Sequence, residues 1–477
     1  MKTLENLILA FESVIVYFSL SYILFYLFLA ILSWIAIKTY YNKKYFLLKE
    51  VLIKSNHTKG VSILAPAFNE ANTIESNVKS LLSQEYPKFE VVVINDGSTD
   101  ETLEILINKF SLIKVDFFYQ EKIITQKIRG HYKSTNPIYS KLLVVDKLNG
   151  KSKADATNAG INSAKHSLFI CTDVDCILRK DTISMLAKPF IENTKKVIAT
   201  GAAIRISNSC EFKDGMLYKS HYPDNFFARF QELEYIRSFL FGRMAWSNIN
   251  GLLLVSGGLG MFDKETVIEA GGYWHQSLGE DIELITRIRK LMHKKKEAFL
   301  IIYIPESLCW TEVPNTLEMF LRQRVRWARG LVQTLYLHKS VFFNPKYGKT
   351  GLLVFPYFVF YEFFVPILEV IGIIVLILDF LFFNINLDYL LIGTAFVYLF
   401  YITITLISVF LDQIIYKHYT GIKEVLILIF MIFIEPIVFH PINVYASIKG
   451  YWHFLGQKEQ KWGTQVRQGF NNANIEK

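Results

Sequence analysis

Glu90-Val91-Val92-Val93-Ile94-Asn95-Asp96-Gly97-Ser98-Thr99-Asp100 is the stretch whose reading decides the fold. A short β-branched run ends in a polar turn, and the next residues open a helical pattern over 100–109. The unit repeats outward in both directions. Strand candidates fall at 61–64, 90–94, 142–145, 167–171, 197–200 and 299–304, with amphipathic helix candidates at 73–82, 100–109, 154–164, 181–190 and 281–292. Strand-helix alternation predicts an α/β unit over 55–340, with a mostly parallel sheet covered by helices on both faces. Ligands in such sheets bind beyond the carboxyl ends of the strands. The polar motifs fall there.

On either side the composition turns apolar. Hydrophobic residues make up 52% of the 477 and aromatic residues 15%, which excludes a disordered chain. A charge-free run over 14–37 within the segment 1–50 is long enough, at about 1.5 Å per residue, to cross a bilayer core of roughly 30 Å. Lys38, Lys43, Lys44 and Lys49 follow it, so the positive-inside rule places its C-terminal end in the cytoplasm. Further apolar runs lie at 352–383, 389–411 and 425–444 in the segment 347–455, the first expected to begin along the interface before it spans. A tail at 456–477 carries Lys458, Lys461 and Arg467, and with Lys449 it prefers the cytoplasmic side. Pro436 and Pro441 are expected to break the last run and return the chain to that side. Cys171, Cys176, Cys210 and Cys309 form no CxxC pair, so reduced thiols are expected. The net charge of +9 suits anionic partners without choosing among them.

Five clusters carry the chemistry. Ala65-Pro66-Ala67-Phe68-Asn69-Glu70 follows the first strand as Asn95 to Asp100 follows the second. Each could be a plain turn with an N-cap, or together they could form a polar lip for a base and ribose. Lys153 opens the helix Lys153-Ala154-Asp155-Ala156-Thr157-Asn158-Ala159-Gly160, a poor place for helix stability but a good one for a diphosphate; a solvated lysine is the alternative. Asp173-Val174-Asp175 ends an apolar strand, where both carboxylates could reach one Mg2+ or Mn2+ if the strand continues, or one could act through water if the chain turns. Gly279-Glu280-Asp281 leads a helix, as ordinary dipole partners or with one carboxylate as general base. Gln323-Arg324-Val325-Arg326-Trp327, preceded by Trp310, reads as a juxtamembrane anchor, or as arginine for a leaving diphosphate and indoles for a sugar. The basic stretch 111–141, with Lys122, Lys127, Arg129, His131 and Lys133, has no assigned role.

This ordered set, lying between apolar segments, resembles the membrane-bound family 2 glycosyltransferases of the GT-A fold, which include cellulose, chitin, hyaluronan and poly-N-acetylglucosamine synthases; the arrangement is most similar to the last. The resemblance implies a GT-A nucleotide-diphospho-sugar transferase domain flanked by transmembrane α-helices. It implies that Ala65, Glu70 and Asp96 hold the uridine of a UDP-sugar, that Lys153 contacts its phosphates, and that Asp173 and Asp175 bind sugar, diphosphate and Mg2+ or Mn2+. Asp281, with Glu280 beside it, would be the base, and Gln323, Arg326 and Trp327 would line the acceptor and diphosphate site. The implied activity is inverting transfer from UDP-N-acetylglucosamine or UDP-glucose to a growing β-linked polysaccharide. The implied setting is a multi-pass protein of the inner (plasma) membrane with a cytoplasmic catalytic domain. Its partners would be a carbohydrate or lipid acceptor, the membrane and accessory subunits for export, with no nucleic acid. The competing readings are single transfer of a sugar to a membrane lipid, and a non-catalytic nucleotide-sugar sensor or transporter.

Overall fold

The computed structural model describes residues 2–42, 58–213, 215–382, 387–416, 419 and 421–457. Lys43, Lys44, Lys49, Lys458, Lys461 and Arg467, on which the charge argument for topology leaned, lie outside the described residues.

All six expected strands form, as β1 (Val61–Ala67), β2 (Phe89–Asn95), β5 (Leu142–Lys147), β6 (Leu168–Thr172), β8 (Lys196–Ile206) and β12 (Phe299–Thr311). With β3 (Leu112–Val115), β4 (Ile128–Ser134), β7 (Cys176–Leu178) and β11 (Leu259–Asp263) they build one ten-stranded sheet, in the order β3-β4-β5-β2-β1-β6-β11-β8-β12-β7. The central β5-β2-β1-β6 block is parallel, because helical crossovers connect its members. Those crossovers are α2 (Ile74–Leu82), α3 (Thr102–Lys109) and α4 (Lys153–Ser163). β11 enters antiparallel between β6 and β8, so the loop before it arrives at the carboxyl end of β6. A small hairpin, β9 (Glu211–Lys213) and β10 (Met216–Lys219), stands apart from the sheet.

The basic stretch without an assigned role turns out to be the far edge of this sheet. β4 pairs with both β3 and β5, and Arg129 reaches Asp146 on β5 at 2.5 Å. Lysines 114 and 133 sit on this margin, where charge discourages pairing with another chain.

On the opposite flank lie α5 (Thr182–Glu192), α6 (Phe226–Tyr235), a π-helical segment Ile236–Arg243, α7 (Met244–Asn248), α8 (Lys264–Glu269), α9 (Glu280–Lys295) and α10 (Leu317–Leu337). The apolar helices pack on these. Among the described residues, four helical segments are long and apolar enough to cross a membrane: Ala10–Asn42, Thr350–Phe382, Leu390–Tyr416 and Ile422–Leu455. Many of their large apolar side chains stay exposed, including Val16, Tyr17, Phe380, Leu391 and Phe430, as a lipid-facing surface requires. The first belongs to α1 (Lys2–Asn42), and the second ends in α11 (Phe364–Phe382). The opening turns of the second do not lie free: Val354, Phe355 and Tyr357 are buried, with Tyr357 stacked on Phe25 of α1 at 5.1 Å. The third lies within α12 (Leu387–Tyr416), and the fourth is α13 (Ile422–Leu455).

α13 corrects one expectation. It runs unbroken through Pro436 and Pro441. Proline frees a carbonyl one turn back, but a helix held by neighbours in an apolar setting tolerates the loss far better than one in water. Here those neighbours include Arg237, which donates to Glu435 at 2.9 and 3.1 Å, and α10, whose Ala328 and Val325 carbonyl touch Gly450. α12 is pinned in the same way by Arg205 on β8, which pairs with Asp412.

Candidate active site

The two acidic turns after β1 and β2 are laced together. Asn69 donates its amide to Ser98 Oγ at 3.0 Å and accepts from the Thr99 amide at 2.8 Å. Glu70 donates its amide to Thr102 Oγ1 at 2.8 Å, and Asp100 accepts from the amides of Ala71 and Thr102. Asp100 thus joins the start of α3, whose cap position is Glu101, to the neighbouring turn, one oxygen on each. Glu70 Oε2 accepts from Thr73 at 2.9 Å. Ala65 is fully buried within β1, opposite Val93.

Asp96 is gripped from one side. Its Oδ1 takes Lys147 Nζ and, at 3.0 Å, the amide of Gly150. Lys147 is itself wholly buried and also contacts Asp155 of α4 at 2.5 Å. Burial pushes the Asp96 carboxyl above its ordinary range despite these partners. Sequence reasoning missed Lys147, although a lysine closing the apolar run of β5 was a visible signal.

α4 links this lip to the second group. Ser152 caps it, accepting from the Asp155 amide at 3.2 Å, and its first turn carries both Asp155, toward Asp96, and Lys153, toward β6. Lys153 Nζ pairs with Asp173 and donates to the Gly257 carbonyl at 2.8 Å. Burial alone would lower its ammonium pKa; Asp173, with Cys171 and Glu280 adding, overturns that and holds the proton firmly. After β6 the chain turns, the Cys176 amide donating to Asp173 O at 3.1 Å. The turn keeps the carboxylates together: oxygens of Asp173 and Asp175 and the sulfur of Cys176 all lie within 4.8 Å of one another.

Ser256-Gly257-Gly258, ahead of β11, is the meeting point, and sequence reasoning passed over it. A Cβ placed on Gly257 would lie 3.3 Å from Lys153 Nζ, 3.9 Å from Asp281 Oδ2 and 4.0 Å from Glu280 Oε1. One backbone position thus gathers the helix starts of α4 and α9. The Gly257 amide donates to Asp281 Oδ2 at 3.4 Å, and Asp281 Oδ1 accepts from the amide of Ile282. Glu280 is buried; burial and Asp281 beside it raise its carboxyl, against the pull of Arg326 and Lys153. Behind Asp281 stands Arg243, stacked on Phe239 at 4.1 Å.

α10 closes the site. Gln323, Arg326, Trp327 and Gly330 follow helical spacing and share a face. Gly330 sets its approach, since a Cβ there would meet the Gly279 amide nitrogen at 2.6 Å; the glycine pair brings Arg326 beside Glu280. Gln323 is half-buried, its Oε1 unbonded, and Trp327 is 38% exposed with one ring face covered by Arg324 at 4.3 Å. Trp310 does not join them. Strand residues alternate between faces: Cys309 points toward Gly258, so Trp310 points away and packs with Ile177 and Phe212.

The structure therefore brings together Lys153, Asp173, Asp175, Glu280, Asp281 and Arg326, with Asp96 and Glu70 on the adjoining lip. All four cysteines are free thiols, three of them buried.

Comparison with known proteins agrees with this arrangement. Residues 62–134 match the model for "Glycosyl transferase family 2" and residues 132–330 that for "Glycosyltransferase like family 2", so that together they cover more than half of the chain. The poly-beta-1,6-N-acetyl-D-glucosamine synthase of Staphylococcus epidermidis is 29% identical over 319 residues, and that of Staphylococcus aureus 27% over 315; each alignment spans 65% of this chain and 65% of the relative. A mannosyltransferase from Pyrobaculum calidifontis, solved with GDP-Man and Mn2+, superposes with a TM-score of 0.55 at 18% identity, over 90% of this chain and 100% of its own, which shows a shared fold. With the GT-A sheet, the clustered motifs and four membrane-length helices, these matches place the chain among the membrane-bound members of glycosyltransferase family 2.

Proposed function

We propose that the protein is an inverting glycosyltransferase of the membrane that moves N-acetylglucosamine from its UDP donor to a growing β-linked polysaccharide. The observation that carries the reading is the convergence at Gly257, where the base candidate, its acidic neighbour and the phosphate-binding lysine candidate meet within about 4 Å of one point. The relatives named as poly-N-acetylglucosamine synthases support the donor and product.

In this reading the lip formed by Glu70, Asp96 and the braced turns holds the uridine, and Lys153 and Arg326 face the diphosphate. Asp281 takes the proton from an acceptor hydroxyl; the hydroxyl oxygen bonds to the anomeric carbon as the bond from that carbon to the diphosphate oxygen breaks, and the electron pair leaves with UDP. Lys153 and Arg326 offset the charge that develops there. Glu280, its carboxyl raised by burial and by Asp281 beside it, borders the acceptor and keeps it in register. Gln323 and the open face of Trp327 line the acceptor. A divalent cation, Mg2+ or Mn2+, fits Asp173 and Asp175: Gly258 leaves the space in front of Asp173 Oδ2 clear, a Cβ there standing 3.6 Å from that oxygen. When bound, the ion supplies positive charge to the leaving diphosphate. The catalytic face lies toward the cytoplasm, where UDP-sugars are made.

Purified full-length protein in detergent, offered a panel of UDP-sugars, tests this by UDP release and product mass. The expected result is turnover with UDP-N-acetylglucosamine, abolished by excess EDTA, yielding a ladder. A single lipid-soluble product would replace polymer synthesis with transfer to a lipid, and binding without UDP release would make the protein a sensor.

A further inference from the structure

The turn that follows β6 presents a sulfur alongside its two carboxylates. Cys176 is fully buried, and its Sγ lies 3.7 Å from Asp175 Oδ1. Donor atoms that share one ion at about 2.0–2.5 Å stand no more than about 5 Å apart. The oxygens of Asp173 and Asp175 and the sulfur of Cys176 meet that limit at 4.8 Å. Two of these donors look toward the same clearing. A Cβ on Gly258 would sit 3.5 Å from Cys176 Sγ and 3.6 Å from Asp173 Oδ2, so the glycine keeps open the volume that sulfur and oxygen both border. Behind it, Cys309 Sγ lies 4.0 Å from the carbonyl of the same glycine.

We infer that Cys176 is a third protein donor to the divalent cation held by Asp173 and Asp175, so that an O,O,S set selects borderline and thiophilic cations over Mg2+. The inference rests on the metal-dependent reading above and deepens it. Metal binding displaces the thiol proton to water, and the sulfur lone pair forms the third bond. Mg2+ gains little from sulfur, Mn2+ more, and Cd2+ and Zn2+ most.

The test uses the full chain in detergent micelles, with Cd2+ alone as probe and ultraviolet cadmium–thiolate charge-transfer absorption as readout. Bound Mn2+, followed by electron paramagnetic resonance, is the second measurement. The wild type should show the cadmium band; Cys176→Ser should lose it and weaken Mn2+ binding at least about tenfold, while Cys210→Ser should keep both. Cys176→Ala serves if the serine variant fails to fold, because it retains small buried bulk without a donor. Asp173→Asn should abolish Mn2+ binding. A cadmium band that persists without Cys176, or Mn2+ binding unchanged by its loss, overturns the third-donor role, leaving Cys176 a small packed thiol. Mn2+ binding that survives Asp173→Asn overturns instead the metal site on which the inference stands.

Discussion

Asp173, Asp175, Glu280 and Asp281 gather in one pocket with Lys153, Arg326 and Arg243, whereas Asp412 and Glu435, on helices apolar enough to lie in lipid, are each met by an arginine from the layer below. Both regions concentrate acidic groups: Asp175 and Glu280 are buried and Asp173 and Asp281 half-buried in the first, and Asp412 and Glu435 are buried in the second. The difference is in how the charges are met among the described residues: the first sets four carboxylates and three cations around one cleft, whereas in the second Arg237 meets Glu435, and Arg205 meets both Asp412 and Glu232. An unbalanced cluster is costly unless a cation or a ligand completes it, which is the condition of a working site. The contacts of Arg237 and Arg205 are made within the protein, and their role is to hold the helices against the sheet layer.

That contrast makes opposite demands on mutants. Arg237→Met would leave Glu435, 1% exposed in its side chain, without its guanidinium, and loss of one member of a buried pair costs about 3–5 kcal/mol. Thermal unfolding in micelles should fall accordingly, with turnover per folded molecule retained; replacing Glu435 by leucine as well should return most of the stability. A loss of turnover exceeding the loss of fold would erase the distinction between the regions. Asp281→Asn should do the reverse, lowering kcat by about a hundredfold to a thousandfold, equivalent to roughly 2.7–4 kcal/mol of barrier, with the melting temperature unchanged or raised. Near-normal UDP release would remove Asp281 from the chemistry.

α10 borders both regions and can divide them further. Its Gly330 faces Gly279 and the site, while Ala328 and Val325 face Gly450 of α13. Gly330→Ala forces a methyl into backbone and should cost about 1–3 kcal/mol, with UDP release falling further because Arg326 is displaced from Glu280. Gly450→Ala, whose Cβ would meet the Val325 carbonyl at 2.8 Å, should lower stability and spare the rate. Equal effects of the two on rate would mean that α10 moves as one body and that its faces are not separable.

The site was more legible in the sequence than its surroundings, for physical reasons. Apolar strands ending in carboxylates at β2 and β6 are read from local pattern alone, and so is a lysine at a helix start. Lys147, Gly257 and Gly258 were not, because each works through a partner distant in the chain: Asp96, Asp281 and Asp173. Trp310 was open to two readings, a membrane anchor or an indole for a sugar, and strand alternation turns it away from the site. Glu435-Pro436 read as a break because nothing local announces Arg237, 198 positions earlier. β3 and β4 escaped notice because their lysines, arginine and histidine dilute the β-branched signal, as suits an edge.

That edge supplies the smallest test, away from both carboxylate sets. His131 on β4 is 4% exposed, stacked on Phe117 at 4.7 Å, beside Tyr119, and within 3.2 Å of Ser163 Oγ. No carboxylate is among these contacts, and burial pushes its pKa down to about 4. In the unfolded chain it titrates near 6.5. A folded value below the unfolded one means that the unfolded state takes up the proton first, so stability is full above about pH 6.5 and declines as pH falls toward 4. The decline owed to this one ring is about 1–3 kcal/mol. His131→Gln, which keeps a hydrogen-bonding group toward Ser163, should flatten the unfolding profile between pH 6.5 and 4 while leaving UDP release at neutral pH alone. A profile as steep as the wild type's would assign the acid sensitivity to the carboxylates instead, and would tie stability to the site more closely than the contrast between the two regions allows.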